Sequence, residues 1–436
     1  MKLRSLMVAA LVLLILAGVL YWSGHHKSST ANVSAAADAA PAILHLSEPD
    51  ITQLTVARKG SAPVILEKTG SGSWQITAPK QMRADQTNVS GILNTVSSLD
   101  SERVVENKAG DLSSFGLSQP SLEIDIGEKN HTTQKLLLGD DTPTGSAVYA
   151  MVEGDPRVFT TYSYYKNSLD KGLDDLRDKR LLTADSDKIT RIELIRKNMD
   201  VTFDRGKDGW QIVKPEPLRA DNSQVQQLVS GLTGATMDLN GAHSKDAAAL
   251  FAAAQPIAIA KVTDDTGTET LEVRESKGQY YAKSSAVEGV YETGSDTGSA
   301  LDRSEDDFRN HRLFDFDYDE PNRVEVRSGA DSWLFTRNGG EWWSAGKQMN
   351  ADDIESLVSK LRDLSAGSFV SSGFTAPGIE ITVTSNEGKR VEIVQIAKAA
   401  HECIARRQNE PSLYRLDAGI VDDLTKAAAA IQPAKK

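Results

Sequence analysis

Cysteine is nearly missing from this chain of 436 residues: Cys403 stands alone. A single cysteine forms no intrachain disulfide and no cysteine-based metal site, and without an early cysteine the chain is not expected to be a lipid-anchored lipoprotein. An excess of positive charge is missing too. Lys and Arg number 49 against 61 Asp and Glu, giving a net charge of −12 and a pI near 5.2. That balance argues against nucleic acid, whose phosphates are met by Lys and Arg, and against docking driven by an anionic lipid surface. No P-loop, nucleophile elbow, HExxH helix or dinucleotide fingerprint occurs. Of the seven histidines, those beyond His25 and His26 (His45, His131, His243, His311 and His401) include no two at metal-ligand spacing. No cofactor or metal is expected, and no catalytic residue.

What the chain does have is a repeat. Gly72-Ser73-Trp74-Gln75-Ile76-Thr77-Ala78-Pro79 leads to Arg83-Ala84-Asp85, and Gly209-Trp210-Gln211-Ile212-Val213-Lys214-Pro215 leads to Arg219-Ala220-Asp221. Trp to Pro is five positions in both copies, Trp to Asp is eleven, and the copies are offset by 136 positions. A shortened third copy runs from Trp342-Trp343 to Asn350-Ala351-Asp352 and lacks the Pro. A period this long means duplicated structural modules.

The chain starts with a basic Met1-Lys2-Leu3-Arg4, then an almost unbroken apolar run from Leu6 to Trp22. The run just reaches spanning length. Tyr21 and Trp22 stand at its far edge, where interfacial aromatics belong. Lys2 and Arg4 favour a cytoplasmic N-terminus with the body outside, in a bacterium on the periplasmic side. The competing reading is a cleaved signal peptide, with small-residue cleavage sites between Ala35 and Ala42. The expected organisation is a membrane segment over 1–24, a flexible linker over 25–42, and modules over 43–182, 183–315 and 316–436, the third degenerate.

Each module reads strands, helix, strands. In the first, 51–56, 64–66 and 74–76 are short strands separated by Gly and Pro signals. Asp85 then caps a helix whose apolar stripe is Val89, Ile92, Leu93, Val96 and Leu99. Asp221 and Asp352 precede the same stripe in the other copies. Strands return afterwards, with the clean alternation Leu122-Glu123-Ile124-Asp125-Ile126 as the clearest. The expected fold class is α+β: tandem modules of antiparallel sheet, each covered by an amphipathic helix, after one N-terminal transmembrane helix. The joints carry a second repeated signal, Leu176-Arg177-Asp178-Lys179-Arg180-Leu181-Leu182 and Phe308-Arg309-Asn310-His311-Arg312-Leu313-Phe314.

Trp74, Ile76, Pro79, Ala84 and Asp85, followed by Phe115-Gly116-Leu117 with Pro120, Leu138-Gly139, Tyr149, Gly154, Arg157-Val158-Phe159 and Leu176 to Leu181, form a pattern that resembles a bacterial family, the domain of unknown function 4340. The third module departs from it. The resemblance implies one N-terminal membrane segment, an extracytoplasmic repeat body and an accessory place beside ABC-type transporters of the gliding-motility kind. It brings no catalytic residue.

The repeated residues read first as fold-making. Trp74, Trp210 and Trp343 fill cores, Pro79 and Pro215 end strands, and Asp85, Asp221 and Asp352 cap helices. An enzyme rarely needs three copies of one site. Arg177, Arg180, Arg309 and Arg312 are candidate interface residues that lock modules through charge-assisted bonds, and Trp342 is a candidate docking or glycan-stacking surface. Cys403, beside His401 and near Arg406 and Arg407, reads as a small buried hydrophobe. The alternating acids Asp315 to Glu320 begin like a calcium loop, but Glu320 and Val326 stand where Gly and Glu are required, so a solvated acidic linker is expected. The function expected is a non-enzymatic scaffold or accessory protein, attached to the membrane through the N-terminal helix and bound to protein partners. A cell-envelope polysaccharide-binding module and an envelope hydrolase using paired carboxylates are the alternatives.

Overall fold

The computed structural model describes residues 41–242, 244–316, 320–398 and 402–435. The expected membrane segment 1–24, nearly all of the linker 25–42, and His243, Asp317 to Asp319 and His401 lie outside the described residues. Among the described residues no helix is long and apolar enough to cross a membrane. The chain divides into two compact units after Asp178.

The first unit is built on one nine-stranded antiparallel sheet. Its strands lie in the order Met82–Arg83, Trp74–Ala78, Val64–Lys68, Ile51–Arg58, Leu122–Glu128, Thr133–Asp141, Ala147–Val152, Val158–Tyr162, Arg103–Glu106. Alternation dictates the two faces: Leu122, Ile124 and Ile126 are buried while Glu123 and Asp125 are half-exposed. The repeat helix Gln86–Ser97 carries the chain from the edge strand Met82–Arg83 towards the opposite edge strand Arg103–Glu106. Asp85 caps it, accepting from the backbone N–H of Thr87 and Asn88. Val89, Ile92, Leu93 and Val96 are buried against the sheet core, each stabilising the fold by roughly 1.5–3 kcal/mol. A short strand, Ala42–His45, pairs with Ser98–Asp100 just after the helix.

The second unit contains two more nine-stranded sheets, each with the same strand order. Their repeat helices, Asn222–Thr233 and Ala351–Arg362, bury Val225, Leu228, Val229, Leu232 and Ile354, Leu357, Val358, Leu361. The third module therefore has the full fold although its sequence is degenerate. Pro79 and Pro215 follow cis peptide bonds on the way to the short edge strands. In the third module that longer turn is replaced by Ala345-Gly346, both with positive φ (47° and 75°), a two-residue hairpin turn that pairs Ser344 with Lys347. The tighter turn is what shortens the third copy.

Three sequence expectations need correction. Each module has a second helix beside the repeat helix: Ser163–Leu169, Ser295–Leu301 and Ala418–Ala430. The first two are short and carry few apolar positions, and the third lies in an Ala-rich run that reads as tail. The third repeat helix is capped by Asn350, whose side chain accepts from Asp352 and Asp353 N–H. Asp352 is thus already inside the first turn, because the missing residues bring the cap forward. Finally, the expected joints at 182 and 315 fall late. Leu181 and Leu182 belong to the second core, and Leu313 and Phe314 to the third.

Candidate functional site

The joints explain the spacing of their arginines. At the end of the first unit Arg177 forms a backbone bridge with Ala84, and Asp85 N–H donates to Leu176 at 2.7 Å. At the start of the second unit Arg180 bridges Thr236, just beyond the repeat helix. The second joint repeats all three: Arg309 with Ala220, Arg312 with Ser365, and Asp221 N–H to Phe308 at 2.8 Å. One strap closes a module in front of its helix cap, and the next strap opens a module behind its helix end. In the third module Pro433 bridges Met349, and Asn350 N–H donates to Gln432 at 2.9 Å. The repeated Arg pair is thus first a backbone pattern.

Within the second unit the second joint also carries side-chain chemistry. The Arg219 guanidinium reaches Asp315 at 2.5 Å, the Glu410 carboxylate at 3.1 Å and the Tyr414 hydroxyl at 2.9 Å, and donates to the carbonyl of Arg312. Tyr414 in turn donates to Glu410 at 3.0 Å. Arg407 adds bonds to Glu410 at 2.8 Å, to Glu392 at 3.1 Å and to the Leu313 carbonyl at 2.7 Å. Arg390 donates to the Asp315 carbonyl at 2.6 Å, and Asn310 to the Asp315 carboxylate at 3.1 Å. Three carboxylates and three arginines from two modules thus hold one another. The network borders a cleft of about 400 Å³ lined by Trp210, Arg219, Asn222, Asn310, Asp315 and Arg390 among others.

Electrostatics follow from that packing. Burial works against the Arg219 charge, but Tyr414, Asp315 and Glu410 together raise its pKa above the ordinary arginine value. Burial pushes the Glu392 carboxyl up, with Arg407 and the Asp315 N–H pulling the other way. Burial also raises Tyr414. Asp315 is thus not part of a solvated linker, and Phe316 beside it is fully buried. Arg309 donates to Ser412 at 3.0 Å and lies over the Phe369 ring at 3.5 Å, so it too reaches from the second module to the third.

The remaining candidate residues are placed as follows. Trp74 and Trp210 are buried, and in the third module the buried ring is Trp342, 2 % exposed, while Trp343 is half-buried. The expected roles of Trp342 and Trp343 are exchanged, because the strand alternates and the hairpin fixes Ser344, not Trp343, at the turn. Trp342 Nε1 donates to Glu355 at 3.4 Å. Cys403 is fully buried in the third core, and burial raises its thiol pKa. Among the described residues no group of three or more His, Cys, Asp or Glu side chains is arranged to hold a metal ion.

Sequence reasoning missed the residue after each Asp cap. Gln86 accepts from Trp74 N–H at 2.8 Å and donates to the Trp74 and Ala84 carbonyls, and Asn222 accepts from Trp210 N–H at 2.6 Å. A side-chain amide at that position in both copies was the available signal. It also explains Gly209, φ 111°, where an added Cβ would meet Asn222.

The sequence profile of the domain of unknown function DUF4340 matches residues 74–211 and 210–378. The chain belongs to this family. Both DUF4340 copies begin at the repeated Trp strand and the first runs into the Trp strand of the following module, so the sequence unit is out of phase with the sheet. The second copy stops before the strand Ile379–Ser385. No curated protein and no solved structure matches the chain.

Proposed function

We propose that this DUF4340 protein is a non-enzymatic, membrane-anchored periplasmic scaffold or accessory protein of an ABC-type transporter or gliding-motility-like envelope complex. The observation that carries the reading is the Arg219 network. The charged groups concentrated at the second joint are engaged with one another even where they line the cleft, which suits a part that fixes geometry more than one that turns over a substrate. Three copies of a single sheet-and-helix module supply extended surface, and the family resemblance supplies the transporter context.

Neither alternative gains an observation of its own. The polysaccharide reading leaned on the Trp342-Trp343 pair, and one of those rings is in the core. The hydrolase reading needs carboxylates poised for proton transfer, whereas Asp315, Glu392 and Glu410 each face an arginine.

Co-purification of the full-length protein from detergent-solubilised membranes, followed by mass spectrometry, tests the proposal. Permease or ATPase subunits in the eluate support it. Their repeated absence, with the protein intact and folded, overturns it and makes a glycan screen the next experiment.

A further inference from the structure

The internal repeat provides a control for deciding which surface residues the fold itself requires. Residues that recur at matching positions build the module, and residues that appear in one copy only need another explanation. The second helix of each module offers the clearest contrast. Its N-cap is Tyr162 in the first module, Gly294 in the second and Asp417 in the third. Asp417 caps by accepting from Gly419 and Ile420 N–H, as a cap residue should. Tyr162 makes no side-chain cap bond at all. Two residues on, the first module has Tyr164 where the others have Asp296 and Gly419.

Both tyrosines are out in solvent. Tyr162 is 43 % exposed and Tyr164 is 57 % exposed. Their rings stack with centroids 5.6 Å apart and planes 12° apart, and Tyr165 stands 4.3 Å from Tyr164. The Tyr164 hydroxyl beside it and burial push the Tyr165 phenol up to about 12. Two large rings held together in water gain nothing for the core, and the other two modules fold without them.

Their position in the chain gives them a partner. Ala42, where the first strand begins, pairs with Asp100. Thr161 donates to the carbonyl of that same Asp100 at 2.9 Å, and Ser101 donates to the carbonyl of Pro41. The tyrosines therefore stand one strand away from the point at which the chain leaves toward its apolar segment. Residues 23 to 40 separate that point from Trp22, a length that can reach at most about 60 Å fully extended. A connection of that length lets the surface around Pro41 reach the bilayer. Tyrosine is the side chain suited to the headgroup layer, with an apolar ring and a wet hydroxyl. Insertion of this kind needs no positive charge, so the net charge of −12 does not oppose it.

We infer that Tyr162 and Tyr164 form an interfacial foot that seats the first module in the headgroup layer of the bilayer holding the N-terminal segment. The inference rests on the membrane-anchored reading above. It fixes which face of the first module is turned to lipid and leaves the opposite surfaces for protein partners.

The test uses the full-length protein with Asn167→Cys, on the exposed side of the same helix three residues beyond Tyr164, so that both tyrosines remain. Cys403 is fully buried, so a maleimide fluorophore goes to the introduced thiol. The protein is reconstituted into phosphatidylcholine vesicles containing a headgroup spin-labelled lipid. The matching position Ser299→Cys in the second module serves as reference. The expected result is loss of most of the emission at 167 and little at 299, with the loss at 167 abolished by Tyr162→Ala/Tyr164→Ala at unchanged circular dichroism. Equal emission at 167 and 299, in protein that floats with the vesicles after carbonate washing, overturns the foot but not the anchor. Quenching at 167 that survives removal of both rings also overturns it. Protein that fails to float overturns the anchored reading, and the foot with it.

Discussion

Arg219 and Tyr414 are 195 positions apart and joined by a hydrogen bond of 2.9 Å. Arg219 belongs to the same Arg-Ala-Asp repeat as Arg83, yet the two arginines do different things. Arg83 lies 3.5 Å from Asp178 within the first unit. In the second unit the position of Asp178 is taken by Asn310, which turns to Asp315 instead, and Arg219 is free to reach into the third module. A fold-making position has been reused to couple modules.

Arg219→Ala should therefore destabilise the second unit by about 2–3 kcal/mol. It leaves Asp315 and Glu410 short of a partner in a largely buried place, with some relief from solvent. Urea unfolding of the full chain, followed by tryptophan fluorescence, measures it. A loss below about 0.5 kcal/mol would mean that water already screens the network.

The exchange of roles between the paired tryptophans is directly measurable. Trp342→Ala should cost about 3–5 kcal/mol, as for other large-to-small changes in a core. Trp343→Ala should cost less than about 1 kcal/mol. Equal losses would place both rings in the core and contradict the strand parity.

The third helix should respond to its true cap. Asn350→Ala removes the acceptor for two backbone N–H groups and should cost about 1 kcal/mol. Asp352→Asn touches only the charge in the first turn and should cost a few tenths of that unit. Thermal denaturation ranks the two variants, and a larger loss at Asp352 would reinstate it as the cap.

Glu392 gives a pH signature. Its folded pKa is raised by burial, so between the ordinary glutamate range and that raised value the folded state holds the proton more tightly than the unfolded state. The sign follows: this group's contribution favours folding at the acid end of the window and is lost as pH rises through the folded pKa. Arg407, Asp315 and Arg390 face it, and the lowered surface carboxylates, such as Asp111 and Asp422, act in the opposite sense. The comparison with Glu392→Gln isolates it. The stability difference between the two proteins should change across that window, and a constant difference would rule the titration out.

Much of the fold was legible because it is written as local pattern. A cap residue followed by Val89, Ile92, Leu93 and Val96 is a helix wherever it occurs, and Leu122-Glu123-Ile124-Asp125-Ile126 is a strand with one buried face. The joints were legible as repetition but not as division. Whether Leu181 and Leu313 close one core or open the next depends on partners at Ala235 and Leu364, which no local window contains. The Arg219 network was illegible for the same reason, since Asp315, Glu392 and the pair Glu410 and Tyr414 come from three separate stretches. The exchange of Trp342 and Trp343 turned on one residue of strand parity, decided by a hairpin turn at Ala345-Gly346 that carried no proline to announce it.

The straps at the joints have a genetic consequence. Excising the 136 residues from Trp74 to Gly209 joins the strands Ile51–Arg58 and Val64–Lys68 directly to Trp210. The hybrid keeps the strand Ala42–His45, the helix Asn222–Thr233 and the closing strap at Phe308–Asn310, and the stretch after that helix stands where Ser98–Asp100 paired with Ala42–His45. Recombination between Trp strands exchanges strands at matching places in sheets of one strand order, and the family's sequence unit begins at that same place.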